Sequence, residues 1–293
     1  MKLSIIILSY NTKDLTLDCL KSIFLQYEKE LKEGIFEIVV VDNASTDGSP
    51  SAISKFQLSL SNKESVKIIE NKENYGFSKG NNIGAKAARG EYLLFLNSDT
   101  EIQDKGFLRM IEFMDLNERV GILGGRLVSP NKSFQRSGGN FYNAFNLGLF
   151  LFGGGKLGFL TKSPSQITKI DWVSGASMMI KRSVFKKIGG FEEKLFMYME
   201  DMEICFRARK KGFVTYFYPN VELLHKERGS SNRAFAIIHI YEGILYFFKK
   251  YKPKWQYDLV RFMLRSKALV LVNLGKIMNN KYLEETYSKA LAL

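Results

Sequence analysis

Cross-linking chemistry is nearly absent from this chain. Its 293 residues include two cysteines, Cys19 and Cys205, and two histidines. That scarcity excludes a disulfide framework and a Cys-rich structural zinc site, and it fits a reducing compartment. Long apolar runs are missing too. The nearest approach to the roughly 20 apolar residues of a membrane span is the stretch 141–160, which Asn143, Asn146 and a Gly-rich turn interrupt. The opening MKLSIIILSYN has a lysine and an apolar run of strand length but no small-residue cleavage site, so it reads as a first strand and not a secretion signal. A cytoplasmic protein is the expectation. Helix-turn-helix, zinc-finger and aromatic RNP patterns are also lacking, so no nucleic-acid partner is expected despite a formal net charge of +13.

The positive charge collects at one end. Residues 232–293 hold eleven Lys/Arg against four Asp/Glu, a net of +7. Within them, YFFKKYKPKWQYDLVRFMLRSK interleaves basic and aromatic residues. That pattern suits peripheral contact with an anionic membrane at the inner face of the cell, and equally a helix packed on the rest of the chain with its basic face in water.

At 45% apolar and 25% charged residues the composition is globular. Hydrophobic periodicity predicts strands at 3–8, 36–41, 66–69 and 92–96, with helices at 14–27, 49–60 and 80–88 between them. This alternation predicts an α/β fold, a mostly parallel sheet flanked by helices, and such folds bind ligands beyond the carboxyl ends of the strands. Residues 121–172 read as Gly-rich and irregular. A strand at 172–180, a helix at 182–188, a helix at 199–211 and a strand at 213–218 follow, and the pattern beyond 230 is helical and amphipathic. The expected division is an α/β domain over 1–228 and a basic helical extension over 229–293.

Each early strand leaves the core through polar residues: Ser9-Tyr10-Asn11, Asp42-Asn43-Ala44-Ser45, Glu70-Asn71 and Asn97-Ser98-Asp99. Turn and cap formers do this routinely, but four such exits on one edge describe a polar crevice. Asp42 is placed there to accept hydrogen bonds from the base or ribose of a nucleotide. NKENYGFSKGNNIGAKAARG is neither a phosphate-binding P-loop nor a GxGxxG turn. Its glycines at 76, 80 and 84 permit close approach to a ligand or a strand, and Asn74, Lys79 and Asn82 supply polar groups among them. Asp99, on the same edge as Asp42, is a natural oxygen ligand for a divalent cation that holds a diphosphate. Asn97 stands where a second carboxylate would add charge, so it offers such a cation less.

Glu200, Asp201 and Glu203 open a helix that closes with Arg207, Arg209 and Lys210, the order a helix dipole favours. Five apolar residues at 195–199 lead into it, which also places Glu200 and Asp201 as partly shielded carboxylates of the kind a base for a sugar hydroxyl requires. His225 follows the last strand, as a packed side chain or as a further metal ligand. His239 falls in an apolar helical pattern and reads as structural. No Ser/His/Asp or Cys/His nucleophile stands out.

The segments SIIILSYN, VVVDNASTDGS, NYGFSKGNNIG, LLFLNSDT, WVSGASMMIKRSVFKKIGGFEE, FMYMEDMEICFRARKKGF and LHKERGSS, in this order over residues 3–231, resemble the family 2 glycosyltransferases with the GT-A fold, especially the rhamnosyltransferase-like branch that builds surface polysaccharides. The resemblance implies inverting transfer of a sugar, rhamnose among them, from a dTDP-, UDP- or GDP-linked donor to a hydroxyl of a glycan or lipid-linked glycan. It implies a donor-binding set of Ser9, Tyr10, Asn11, Asp42, Asn74, Gly76, Lys79, Asn82, Asn97 and Ser98. It also implies a divalent metal, Mg or Mn, held by Asp99, Asn97 and His225, with Asn97 leaving a strict requirement for the metal open. Asp201 would be the catalytic base, with Glu200 beside it. Two other readings use a similar architecture. A sugar nucleotidyltransferase would carry a Gly-rich basic loop where this chain has SYNTKD, and a non-catalytic nucleotide- or glycan-binding scaffold would not need both Asp99 and Asp201.

Overall fold

A computed structural model describes residues 1–151, 160–227 and 232–293. The Gly-rich turn within 141–160 and the end of LHKERGSS therefore lie outside the described residues. The first half follows the predicted alternation: β1 (Leu3–Ser9), α1 (Lys13–Lys32), β2 (Phe36–Asp42), α2 (Ser49–Ser59), β3 (Val66–Glu70), α3 (Gly76–Ala87) and β4 (Tyr92–Asn97). The strands β3-β2-β1-β4 are parallel. β1, β2 and β4 are apolar at nearly every position because both faces are covered, and alternate side chains point to opposite cores, whereas the edge strand β3 leaves Lys67 and Glu70 exposed. Ile6, Val39, Val41, Leu93 and Phe95 enter the core beneath α3, whereas Ile5, Ile7, Ile38, Val40 and Leu94 enter the one beneath α1. The small residues of α3 let it lie close on β1: a Cβ at Gly84 would stand 2.6 Å from Ile6 Cγ2.

The second half departs from the prediction. After β5 (Thr100–Ile102) and α4 (Gly106–Leu116), residues 120–128 form a nine-residue strand, β6 (Val120–Val128), inside the region read as irregular. Short β7 (Gly138–Gly139), α5 (Ala144–Leu151), β8 (Thr161–Lys162) and β9 (Thr168–Ile170) follow. The single strand expected over 172–180 is two, β10 (Trp172–Val173) and β11 (Ser177–Lys181), in different sheets. Then come α6 (Arg182–Ile188), α7 (Glu200–Lys210) and β12 (Val214–His225). β11 runs antiparallel between β4 and β6, and β5 and β9 pair antiparallel with β12, so the sheet is mixed. β12 is longer than its apolar core because the register slips between Tyr218 and Glu222, which lets Pro219, with no N–H to donate, pass through a bulge.

Three helices end the chain: α8 (Arg233–Tyr251), α9 (Lys254–Ile277) and α10 (Lys281–Leu291). Asn232 caps α8 by accepting the Phe235 N–H at 2.8 Å. The inner face of α8 (Tyr241, Ile244, Phe247, Phe248) joins the core that α3, α6 and α7 share. Glu203, fully buried, accepts from Arg207 Nε with both oxygens at 2.8 Å and from the Tyr251 hydroxyl of α8. Arg207 donates in turn to the carbonyls of Ile188 and Gly190. The third acid of the 200–203 cluster is thus spent on fixing α7 between α6 and α8.

Candidate active site

A crevice of about 970 Å³ opens beyond the carboxyl ends of β1 and β4. Tyr10, Asn74, Gly76, Asn97, Ser98 and Asp99 line one side of it, and the segment 196–201 lines another. Arg233 and Ile240 bring α8 into the wall, Trp172 opens the segment predicted as a strand, and Tyr142 comes from the region read as irregular.

Beneath this floor lies a chain of hydroxyls. Ser9 Oγ is 3.1 Å from Thr16 Oγ1, and Thr12 Oγ1 is 3.0 Å from Ser98 Oγ. Ser9 is fully buried, so it braces the β1 exit against the Ser98 turn. Asp42 is also buried; its Oδ2 accepts the Ser45 N–H at 2.8 Å, and its Oδ1 has no hydrogen-bond partner among the described residues. An orphaned buried carboxylate oxygen costs stability unless something donates to it. Asn11 takes positive φ (53°) and ties its exit to the next by accepting the Thr46 N–H at 2.8 Å.

Pairing of β5 with β12 sets His225 opposite Thr100 and brings its Nε2 to 3.3 Å from Asp99 Oδ1, with both side chains buried or nearly so. Gln135 decides the state of that ring. Its amide nitrogen donates to the His225 carbonyl oxygen and to Ser129 Oγ, each at 2.9 Å, so its Oε1, 2.7 Å from His225 Nδ1, is the acceptor. Nδ1 therefore carries the proton. The other ring nitrogen, Nε2, is thereby aimed at Asp99. A carboxylate and an imidazole with a clamped outer nitrogen form a metal-binding pair, so these residues fit a divalent ion. Among the described residues no third His, Cys, Asp or Glu joins them. Asn97, in the same wall, offers a neutral amide beside them.

On the other wall, Tyr198 and Met199 both hold φ of 69°, a left-handed conformation costly for side chains of this size. The turn they make delivers Glu200 and Asp201 into the crevice at the start of α7. Two contacts hold the segment. Asn82 donates to the Phe191 carbonyl at 2.9 Å and accepts the Phe191 N–H at 2.8 Å. The Phe77 N–H donates to the Phe196 carbonyl at 2.6 Å. Gly76 makes that approach possible: its φ is +74°, and a Cβ there would stand 2.3 Å from Phe196 O. Gly76→Ala is expected to lower stability by about 1–3 kcal/mol, read from denaturant unfolding.

Burial raises the Asp201 carboxyl to about 6, opposed by backbone N–H groups of Met202 and Gly175. Burial and the neighbouring Asp201 charge push Glu200 well above the usual carboxylate range, and its Oε2 has no partner among the described residues. The two carboxyls share one buried environment, so a charge on one opposes a charge on the other. Tyr142, in the same wall, is pushed up to about 12 by burial and then by Asp201.

Of the residues singled out from sequence, Tyr10, Asn74, Gly76, Asn97, Ser98, Asp99, Glu200, Asp201 and His225 meet at this crevice. Asn11, Asp42, Lys79 and Asn82 are not in its wall; Lys79 lies over the Tyr75 ring at 3.7 Å, and Asn82 positions the 191–199 segment. His239 packs between Phe196 and Phe235. Gln135 had no signal in the sequence, since it stands in an irregular segment and acts only through the β12 partner it reaches.

Residues 4–189 match the family model described as glycosyl transferase family 2. The N-acetylglucosaminyl-diphospho-decaprenol L-rhamnosyltransferase of Mycobacterium tuberculosis is 24% identical over 218 residues, 67% of this chain and 68% of that one. Rhamnosyltransferase WbbL of Escherichia coli is 25% identical over 170 residues, 55% of this chain and 64% of its own. Among solved structures, the mannosyltransferase PcManGT of Pyrobaculum calidifontis, in complex with GDP-Man and Mn2+, superposes with a TM-score of 0.60 at 16% identity, over 99% of this chain and 85% of that one. With a family match over more than half its length and a crevice at the strand exits where the motifs lie, the chain belongs to glycosyltransferase family 2 and is a glycosyltransferase of the GT-A fold.

Proposed function

We propose that this glycosyltransferase moves a deoxysugar such as rhamnose, with inversion, from a nucleoside-diphosphate donor to a hydroxyl of a glycan or lipid-linked glycan during surface polysaccharide synthesis. The observation that carries the reading is one crevice with a cation-seeking pair, Asp99 and His225, and a carboxylate held near neutrality, Asp201, in its walls. The names of the rhamnosyltransferase relatives support the sugar. So does the wall itself, where Phe77, Trp172, Phe196, Met197 and Ile240 offer an apolar surface to a methyl group.

In this reading Tyr10, Asn74 and Asn97 bound the donor cleft, and Asp42, behind the wall, shapes the nucleoside end by holding the Ser45 N–H. When bound, a Mg²⁺ or Mn²⁺ ion would be held by Asp99 and His225 with Asn97 beside them, and it supplies positive charge to the departing diphosphate. Arg233 adds a second positive charge to the same cleft. Asp201 accepts the proton of the acceptor hydroxyl as its oxygen bonds to the anomeric carbon and the bond from that carbon to the diphosphate oxygen breaks. Glu200, whose ionisation burial and the Asp201 charge both oppose, stands beside it. The protein would act in the cytoplasm, with residues 1–228 carrying catalysis and residues 229–293 contributing α8 to the wall and a peripheral contact at the inner face of the membrane.

Incubation with dTDP-, UDP- and GDP-sugars tests the reading: release of one nucleoside diphosphate supports it, and no release from any donor with or without acceptor glycans overturns it. Gln135→Leu frees the His225 ring and should weaken Mn²⁺ binding by about 10–100-fold, measured by calorimetry with nucleoside diphosphate present. Nucleotide binding measured with a chelator should be unchanged, a distinction that a general loss of structure would erase.

A further inference from the structure

A second cavity, of about 530 Å³, lies at the far end of α7. Arg209 and Lys210 from α7, Lys252 from the α8–α9 corner, and the Phe141 and Phe206 rings surround it. Asp171 is the one acid in its wall, and it pairs with Arg209 at 2.7 Å. Among the described residues no carboxylate forms an ion pair with Lys210 or Lys252; they stand over the Phe206 ring at 5.1 and 5.4 Å. The dipole of α7 accounts for cations at its own C-terminus but not for Lys252, which another element brings in. Burial lowers the Lys252 pKa; Asp171 opposes the shift, and the neighbouring Lys210 and Arg209 add to it.

Beside this cavity is an apolar face that nothing covers among the described residues. Trp255, Leu259, Phe262, Val270 and Ile277 recur on one side of α9, and Phe262 and Ile277 are 69% and 79% exposed. α5 lies alongside: the Ala144 N–H donates to Gln256 Oε1 at 3.3 Å, and Lys267 Nζ donates to the Leu151 carbonyl at 2.9 Å. It adds Phe145, 77% exposed, two residues after Asn143 of the cavity wall. Phe150, also on α5, belongs to the wall of the catalytic crevice, so the face runs from that crevice to the basic cavity. α9 itself holds Lys254, Arg261, Arg265, Lys267 and Lys276 against the single acid Asp258.

We propose that the α5–α9 face docks on an anionic lipid surface, and that the cavity formed by Arg209, Lys210 and Lys252 receives a lipid phosphate there. An exposed apolar stripe would also suit a second copy of the chain. The charge decides between them: two like-charged basic helices repel, whereas the same cations are attracted to anionic headgroups as the aromatic side chains enter the interface. The inference rests on the proposed transfer only in giving the crevice a lipid-linked acceptor at its rim.

Vesicle flotation of the full chain tests it, with phosphatidylcholine alone and with phosphatidylcholine containing phosphatidylglycerol. The chain should float with the anionic vesicles and not with the neutral ones. Lys210→Glu/Lys252→Glu and Phe262→Ser/Ile277→Ser should each reduce that partition at least about tenfold, with release of nucleoside diphosphate in detergent-free buffer unchanged. No flotation of the parent chain overturns the proposal while leaving its transferase activity a separate result. So does a parent chain that is dimeric in sedimentation and becomes monomeric in Phe262→Ser/Ile277→Ser. Inorganic phosphate that raises the melting temperature through Lys210 and Lys252, in a chain that binds neither vesicle, would assign the cavity to free phosphate and remove the lipid.

Discussion

Asp201→Asn should lower sugar transfer by about 10²–10⁴-fold while nucleoside-diphosphate binding, read by melting temperature, stays within a factor of two or so of the parent. The variant keeps the shape of the side chain and loses only its capacity to take a proton. Because burial raises the Asp201 carboxyl to about 6, the basic form predominates above that pH and is lost below it. The parent kcat/KM should therefore fall about tenfold per unit as pH drops below about 6, and the residual activity of Asp201→Asn should lack that limb. Stability runs the other way. A carboxyl raised in the folded state holds its proton more tightly than in the unfolded chain, so folding is favoured by acid and loses ground as pH rises from the ordinary carboxylate range through about 6. Glu200→Gln keeps the size of the side chain and removes a charge that burial already disfavours, and it should preserve most turnover. A Glu200→Gln variant as impaired as Asp201→Asn would transfer the base role to Glu200.

Asp99→Ala removes the carboxylate from the cation-seeking pair and leaves His225 alone to hold a divalent ion. At a nucleotide concentration about 100 times Kd, Mn²⁺ should stabilise the parent by about 2.7 kcal/mol through bound nucleoside diphosphate. In Asp99→Ala the thermal shift with Mn²⁺ should collapse to that seen with chelator. Equal shifts in parent and variant would mean that the diphosphate is held without Asp99, and the site would then depend on cationic side chains such as Arg233.

Which residues gather at the crevice was easier to read from sequence than the path of the chain. Asp99 and His225 were visible because strands that are apolar throughout must end in something, and an abrupt change to Asn-Ser-Asp or to His-Lys marks the exit. Asp201 was visible as an acid behind an apolar segment. The parallel strands β1, β2 and β4 were plain for the same reason: burial on both faces leaves runs of Ile, Val and Leu. Glycine concealed β6. Gly121 and Gly124 sit where a Cβ would stand within 2.8 Å of Phe213 Cβ and 2.4 Å of Val173 Cβ, so what looked like a loop composition is the close packing of a central strand. The run at 172–180 concealed a break, because Ser174, Gly175 and Ala176 leave one sheet, line the crevice and enter another. Gln135 and Tyr142 were out of reach since their partners, His225 and Asp201, are 90 and 59 positions away in the chain.

The anomeric configuration of the product, determined by NMR on the first turnovers with whichever sugar nucleotide the protein consumes, tests the central claim most directly. Direct attack by a hydroxyl that Asp201 deprotonates predicts one displacement, and hence a glycosidic bond of configuration opposite to that of the donor. Retained configuration would require either two displacements or departure and return on one face, and would contradict the role assigned to Asp201.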